Sequence, residues 1–302
     1  LDREDREPGY QQDQRNQAIL SERAIAIASA LERLASANSA YLRAGAALFS
    51  TRGDLRQEEF NRFVSELRLD SSYRGAEGIG WAPRVLPSER AAWEEQASTD
   101  LGRPVTILPQ PRPGQEFSTP VMYLQPDTER NRRALGYDMY SDPVRREAMN
   151  AAREQARPRA SGRVVLQQDG ASDAPGFLIY MPVYQGQAGA AELRGFVYSP
   201  LNGSDFLESA LQSESLGDIA VRVYDEADSG PDLMASAGAE ETGRNMVRAE
   251  VDIVGRTWIL EVSNTVALGF SAMSMVTLLF GILVASLLMI VVRLLTQQAI
   301  ED

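Results

Sequence analysis

A long apolar run near the C-terminus dominates the hydrophobic pattern of the chain. Residues 266–292 read VALGFSAMSMVTLLFGILVASLLMIVV and contain no charged residue. About 20 apolar residues span the hydrocarbon core of a bilayer, so we predict a transmembrane helix over 265–293. The alternative is a fully buried core helix, although core helices rarely run this long without a charge. Arg293 follows the run, which places 294–302 in the cytoplasm and the residues before about 265 outside it.

The N-terminal region carries a heptad pattern. Apolar and small residues alternate at spacings of four and three, at Leu20, Ala24, Ile27, Leu31, Leu34, Asn38, Tyr41, Gly45 and Leu48. This pattern predicts a helix from about residue 11 to 50. It has two interpretations: a dimerising stalk in which Asn38 fixes the register, or a helix that lies on its own domain.

Shorter helices and many strands follow. Asp54 and Gln57 form a capping-box pattern before an amphipathic helix over 55–69. Asp142 and Pro143 are an N-cap and a first-turn proline for a helix to about Ala156. Further helices are predicted at 88–100 and 204–212, and strands at 79–85, 105–108, 117–124, 163–166, 177–184, 193–199, 219–224, 233–236, 246–253 and 257–262.

The strands cluster and do not alternate strictly with helices, which indicates an α+β fold with antiparallel sheets. We expect helices over 1–72, one sheet-containing subdomain over 73–190 and a second over 191–264. The last strand leads straight into the apolar run. The chain begins without Met or an apolar signal segment, so we expect that an earlier span or signal and a later cytoplasmic region belong to a longer protein.

The composition argues against several kinds of chemistry. The chain has no cysteine and no histidine, which removes the usual zinc ligands, thiolate nucleophiles and serine–histidine triads. Its net charge of −12 disfavours nucleic acid, because that affinity depends on basic residues. Adjacent carboxylates such as Glu94–Glu95 and Glu240–Glu241 do not face one site. We therefore expect no catalytic set, no metal site and no cofactor.

Several stretches, in their order along the chain, resemble the CHASE domain. They run from GIGWAPRVLPSERAAWEEQA through FSTPVMYLQPDTERNRRALGYDMYSDPVRREAMNAAREQA, SGRVVLQQD and PGFLIYMPVY to LRGFVYSPLNGSDFLESAL. The resemblance covers roughly residues 75–236, and its most specific positions are Tyr123, Asn131, Ala134–Asp138, Arg145, Ala152–Arg153, Pro182–Tyr184 and Gly195–Val197. One departure is the run Arg153–Pro158, which lacks the Thr-Gly helix exit that many members have.

The CHASE domain is the extracytoplasmic sensor of bacterial histidine kinases and diguanylate cyclases, and of plant cytokinin receptors. The resemblance implies a stalk helix and two PAS-like subdomains. The membrane-distal subdomain would hold the ligand, and the proximal one would join the membrane span. It also implies a missing first span and a missing output domain of the kinase or cyclase type.

The resemblance also implies a ligand site. Asp138 matches the aspartate that holds the purine edge in cytokinin-binding members, and Met139 follows it in the same motif. The alternative is that Asp138 only caps the turn before the helix at Pro143. The resemblance places Tyr123, Leu166, Tyr180 and Gly195 at positions that face the ligand, although each alone belongs more often to the ordinary core. Tyr180 stands where plant receptors have a small hydroxyl residue, so we expect a smaller or differently shaped pocket and a ligand other than an isoprenoid cytokinin.

The leading hypothesis is therefore a small-molecule sensor of an inner-membrane receptor, with a purine or cytokinin-like compound among the candidate ligands. We expect a homodimer through the stalk and membrane helices, with residues before about 265 in the periplasm. The alternative is a periplasmic protein-interaction or dimerisation module without a small-molecule ligand. A closed pocket together with a large apolar surface patch would favour that alternative.

Overall fold

The computed structural model of the chain describes residues 7–67, 76–170, 172–186, 191–212, 218–227, 230–238, 242–265, 280–286 and 288–289. The helices within residues 1–264 are α1 (Glu7–Arg52), α2 (Gln57–Glu66), α3 (Arg90–Leu101), α4 (Glu129–Arg132), α5 (Pro143–Gln155) and α6 (Gly203–Leu211). The strands are β1 (Ile79–Pro83), β2 (Tyr123–Gln125), β3 (Arg159–Ala160), β4 (Val164–Val165), β5 (Pro175–Gln185), β6 (Glu192–Asn202), β7 (Ile219–Ala227), β8 (Gly230–Ala237), β9 (Thr242–Ile253) and β10 (Arg256–Thr265).

Helix α1 lies along its own domain. Of the heptad stripe, Leu20, Ala24, Ile27, Leu31, Asn38 and Gly45 are buried, and Leu34, Tyr41 and Leu48 pack partly buried against the same core. The helix contacts β5 and β6 as well as β9. The stripe that suggested a dimeric stalk is therefore buried within the chain, as the second interpretation of the pattern expects.

The first sheet has the strand order β2–β1–β6–β5–β3, and β4 also pairs with β5. β5 and β6 form a long antiparallel hairpin in which Tyr180 stands opposite Tyr198. On the other side of β6, Gly80 of β1 stands opposite Tyr198. A side chain at Gly80 would overlap the Tyr198 ring, so the close approach of that ring depends on glycine at this position.

The second sheet has four strands in the order β8–β7–β10–β9. β7 pairs antiparallel with both β8 and β10. The chain thus has an α+β fold with a long N-terminal helix and antiparallel sheets, as the clustering of strands predicts. The predicted division at residue 190 is wrong for one strand, because β6 (Glu192–Asn202) pairs with β5 and β1 of the first sheet.

Three local predictions also need correction. The N-cap of α2 is Arg56, whose backbone N–H donates to Glu59, while Asp54 pairs with Arg194. Residues 105–108 contribute only an isolated bridge at Leu108. Within 117–124 only Ser118 and Pro120 form isolated bridges, and a regular strand begins at Tyr123. Pro120 explains part of this difference, because proline cannot donate a ladder hydrogen bond.

The two sheets share one apolar core. Phe177 of β5 contacts Trp258 of β10 edge to face, with ring centroids 4.8 Å apart. Phe206 of α6 completes the group at 6.0 Å from Trp258. Edge-to-face pairs at this separation add to the stabilisation that burial of the rings provides. The rings therefore join the first sheet to the second.

A buried carboxylate also joins the two sheets. Asp225 of β7 accepts hydrogen bonds from the Arg256 guanidinium at 2.5 and 2.9 Å. The same carboxylate accepts the backbone N–H of Arg163, just before β4, at 3.1 Å. One carboxylate thus fixes a loop of the first sheet onto the second.

Residues 265–302 form a separate compact unit. Beyond Thr265 the structure describes only 280–286 and 288–289, which are helical and expose apolar side chains such as Phe280 and Met289. Most of the predicted span therefore lies outside the described residues. Within the described ranges, none of the helices combines the length and the apolar character that a bilayer crossing requires.

We expect Asp225→Ala to lower the free energy of unfolding by about 2–3 kcal/mol, because it leaves the Arg256 charge without its buried partner. Glu147 also lies near Arg256, at 3.9 Å, but its side chain is 73% exposed. Glu147→Ala should therefore cost less than about 1 kcal/mol. Urea denaturation of both variants tests this difference, and equal losses would contradict the role given to Asp225.

Candidate functional site

The predicted site residues do not all lie together in the structure. Met139, Leu166 and Tyr180 lie in one buried cluster on one face of the first sheet. Tyr123 lies in the other core, where its ring stacks on Phe60 and its hydroxyl donates to the Leu55 carbonyl at 2.9 Å. Gly195 lies where β6 approaches β1, and a side chain there would overlap the Ala82 carbonyl. The structure thus brings three of the six predicted residues together.

The carboxylate of Asp138 is fully engaged with the chain around it. One oxygen accepts the backbone N–H groups of Thr119 and Tyr140, at 2.8 and 3.1 Å. The other oxygen accepts the Gln115 side-chain amide at 2.7 Å. Asp138 is the N-cap of the short 3₁₀ helix Met139–Ser141 and is completely buried. These contacts hold the loop before α5 in place.

The cluster around Met139 encloses a small cavity. Its volume is about 10 Å³ for the centre of a water-sized sphere, which is the space of roughly one water molecule. Its lining includes Tyr137, Met139, Arg145, Leu166, Gln168 and Tyr198. Tyr180 lies beside it, and the Tyr180 hydroxyl donates to the Met139 sulfur at 3.6 Å. The side chains of the cluster therefore fill most of the compartment.

Arg145 brings a positive charge into this apolar surrounding. It lies on the buried face of α5 with Ala148, Met149 and Ala152. Its guanidinium donates to the Val165 carbonyl at 2.7 Å and to the Tyr137 hydroxyl at 3.3 Å. Asp142 is its carboxylate partner at 3.2 Å. Arginine is rarely buried unless it is paired, and here Asp142, Val165 and Tyr137 supply the partners.

Two further donors at the cavity have no hydrogen-bond partner among the described residues. They are the Tyr198 hydroxyl and the side-chain amide nitrogen of Gln168. Burial raises the pKa of Tyr198 and of Tyr180 well above the ordinary tyrosine value, although Arg145 counteracts this in part. Both hydroxyls therefore stay protonated and can donate.

Sequence reasoning did not select Arg145, Tyr198 or Gln168 as site residues. A signal for Arg145 was nevertheless present, because it shares a helical face with three apolar residues at spacings of three, four and seven. Tyr198 and Gln168 had no such signal, since their lack of partners depends on the tertiary fold. Across the described part of the chain, no group of three or more acidic residues is arranged to hold a metal ion.

We expect Asp138→Ala to destabilise the fold by about 3 kcal/mol, because it leaves buried N–H groups of Thr119 and Tyr140 unpaired. Asp138→Asn should cost only about 1 kcal/mol, since an amide oxygen can still accept both bonds and Gln115 can rotate. Urea denaturation compares the two variants. A loss below 1 kcal/mol for Asp138→Ala would show that the carboxylate does not hold this loop.

Two tyrosine variants test the unsatisfied hydroxyl. Tyr198→Phe should leave the free energy of unfolding unchanged or raise it by up to about 1 kcal/mol, because it removes a buried donor without a partner. Tyr123→Phe should lower it by about 1–2 kcal/mol, because it leaves the Leu55 carbonyl unpaired. Thermal and urea unfolding without ligand measure the change in the free energy of unfolding for each variant. A larger loss for Tyr198→Phe than for Tyr123→Phe would be inconsistent with the assigned partners.

Comparisons with solved structures show a related fold. An extracellular ligand-binding receptor from Desulfohalobium retbaense aligns with a TM-score of 0.50 at 12% identity, over 80% of this chain and 39% of that protein. This chain therefore spans well under half the length of that receptor, and the likeness is one of fold. No curated protein matches the chain significantly.

Two chemoreceptor domains of Pseudomonas aeruginosa also align. The ligand-binding domain of the amino acid chemoreceptor PctC, solved with GABA, has a TM-score of 0.46 at 13% identity and covers 82% of this chain and 99% of its own. The ligand-binding domain of PctB, solved with L-Arg, has a TM-score of 0.46 at 12% identity and covers 82% and 94%.

The sequence also matches a family profile. The profile of the CHASE domain matches residues 53–235, which is more than half of the chain. The matched region runs from the end of α1 into β8 and contains the whole cavity around Arg145. The chain belongs to the CHASE domain family of extracytoplasmic sensors.

Proposed function

We propose that this chain is the small-molecule-sensing part of a transmembrane signalling receptor, and that its ligand binds in the compartment around Arg145. The buried guanidinium and the two donors without partners carry the proposal. A buried donor without a partner costs free energy, which an acceptor on a ligand would recover. A small ligand rich in acceptor oxygens, such as a carboxylate, fits this set of groups.

The arrangement favours such a ligand over a purine that is held by Asp138. Both oxygens of Asp138 already accept strong hydrogen bonds from Gln115, Thr119 and Tyr140. A purine N–H would have to displace one of these donors and leave it unpaired. The open donors at Tyr198 and Gln168 require acceptors instead.

Binding requires the compartment to enlarge. The 3₁₀ helix Gln167–Asp169 contributes to the cavity lining, and its last residue forms an ion pair with Arg130. Arg130 also pairs with Glu77, before β1. This bridge holds the segment closed over the cavity from outside, so ligand entry would involve its release. A ligand that binds the open form would shift the population towards it.

The output of the receptor lies beyond the matched region. We infer that a change around Arg145 passes through Asp225 to the second sheet, and through β10 to the apolar residues 266–292. The exposed apolar helix at 280–286 supports a membrane segment there. A histidine kinase or a diguanylate cyclase is the output that we propose, and the periplasm is the proposed location of the sensor.

A ligand screen tests the proposal directly. The purified 302-residue chain, kept in a neutral detergent, is examined by thermal shift and calorimetry against amino acids, carboxylates and adenine derivatives. We expect a carboxylate-containing compound to stabilise it, by roughly 2.7 kcal/mol at 100 times its Kd. Tyr198→Phe should weaken binding about tenfold through loss of one donor, while Tyr123→Phe serves as a matched control and should bind normally.

Two outcomes would argue against the proposal. Binding of adenine derivatives alone would favour the role of Asp138 over that of the Arg145 compartment. Binding of none of the compounds would favour a second candidate function, a protein-interaction module, which the small volume of the cavity, about 10 Å³, also supports.

A further inference from the structure

A second, larger depression lies at the junction of three elements and is separate from the Arg145 compartment. It has a volume of about 440 Å³, which is within the range of small-molecule sites. One wall is α1, from Glu32 to Arg43. The other walls are the α5–β3 connection at 157–159 and the β9–β10 turn at 252–255. We call it the junction groove.

Three arginines line the junction groove: Arg43, Arg157 and Arg159. None of them forms an ion pair with a carboxylate of the described residues, whereas Arg145, Arg194 and Arg256 each have one. Arg159 donates to the Gln155 side chain, yet its buried Nε atom has no acceptor in the described chain. Two carboxylates, Glu32 and Asp252, also line the groove. Its charged side chains therefore sum to a net charge of +1, in a protein of net charge −12.

The two carboxylates of the groove are already engaged. Glu32 accepts the backbone N–H of Asp252 at 3.3 Å, and Asp252 accepts the backbone N–H of Gly255 at 2.6 Å. These bonds hold the β9–β10 turn against α1. The carboxylates therefore serve the turn, and the arginines remain available to a ligand.

The backbone of the turn is held in an unfavourable conformation. Val254 has a φ of 53°, and Gly255 follows with 79°. Left-handed backbone is costly for a β-branched residue, and such positions occur often at ligand sites. The Val254 carbonyl accepts the Ala160 N–H of β3 at 3.2 Å, so the turn is fixed to the first sheet. The left-handed φ favours glycine at 255, and a side chain there would also displace the Arg159 guanidinium.

We propose that the junction groove binds a small multivalent anion, which the guanidinium groups of Arg43, Arg157 and Arg159 hold between α1 and the α5–β3 connection. All 30 basic residues of the chain are arginines. The planar guanidinium matches carboxylate and phosphate oxygens in a bidentate manner. A di- or tricarboxylate and a phosphate share this chemistry. The bound anion would link the helix to both sheets at their junction.

Calorimetry on the 302-residue chain in neutral detergent and low salt tests the proposal with three probes: succinate, citrate and inorganic phosphate. We expect at least one probe to bind the wild type. The probe that binds most tightly shows whether the groove prefers a carboxylate or a phosphate. Arg43→Gln and Arg157→Gln should each weaken that binding about tenfold, through loss of one charged contact. Both side chains are exposed, so their replacement should not affect folding.

Arg33→Gln is the matched control, because Arg33 is an exposed arginine of the same helix that does not line the groove. It should bind the probe like the wild type. Ser36→Leu introduces bulk at the groove wall and should also weaken binding, which gives a steric test independent of charge. Tyr198→Phe should leave this binding intact, and this separates the junction groove from the Arg145 compartment.

Three results would overturn the proposal. The first is the absence of binding for all three probes. The second is an equal loss with Arg33→Gln, which would indicate general attraction to surface charge. The third is loss of all probe binding with Tyr198→Phe alone, which would place the anion in the other compartment.

Discussion

The burial of one face of α1 is the constraint on which the rest of the structure depends. Near Glu32 the helix accepts a hydrogen bond from Asp252 of β9. Near its C-terminal end, Gly45 lies against Val197 of β6 and Phe49 stacks on Trp81 of β1, with ring centroids 4.0 Å apart. The 46 residues of the helix would span roughly 70 Å at 1.5 Å per residue. One element of this length thus reaches both sheets, and its apolar face forms part of their common core.

The sequence was sufficient to predict the elements whose signals lie within a short stretch of the chain. The N-cap Asp142 with Pro143 gave the start of α5, and the alternating strands after residue 218 gave the second sheet. The short connection between β5 and β6 is typical of a hairpin, so the sequence indicates their pairing. The pairing of β6 with β1 joins strands distant in sequence, and periodicity could not predict it. It could not identify what covers the stripe of α1 either, since a dimer and an intramolecular sheet both require the same apolar spacing.

The candidate site also depends on tertiary contacts that the sequence pattern does not reveal. The resemblance to the family directed attention to Asp138, and the structure places that carboxylate in a network with Gln115 and Thr119. The shape of the neighbouring compartment depends on Tyr180 and Tyr198, which face each other across β5 and β6. Their size was visible in the sequence. The way in which the two rings together shape the cavity was not visible in the sequence. It depends on the strand register and on the glycine at position 80.

The shared helix has a consequence for how such a protein can be recombined. Here the first sheet obtains side chains from the C-terminal half of α1, and the second sheet obtains contacts from the region around Glu32. In a chimera that replaced residues 203–264 alone, the new segment would pack against an α1 surface that is complementary to the original segment. The transferable unit is therefore the whole of residues 7–264, and its natural crossover points lie outside α1 and β10.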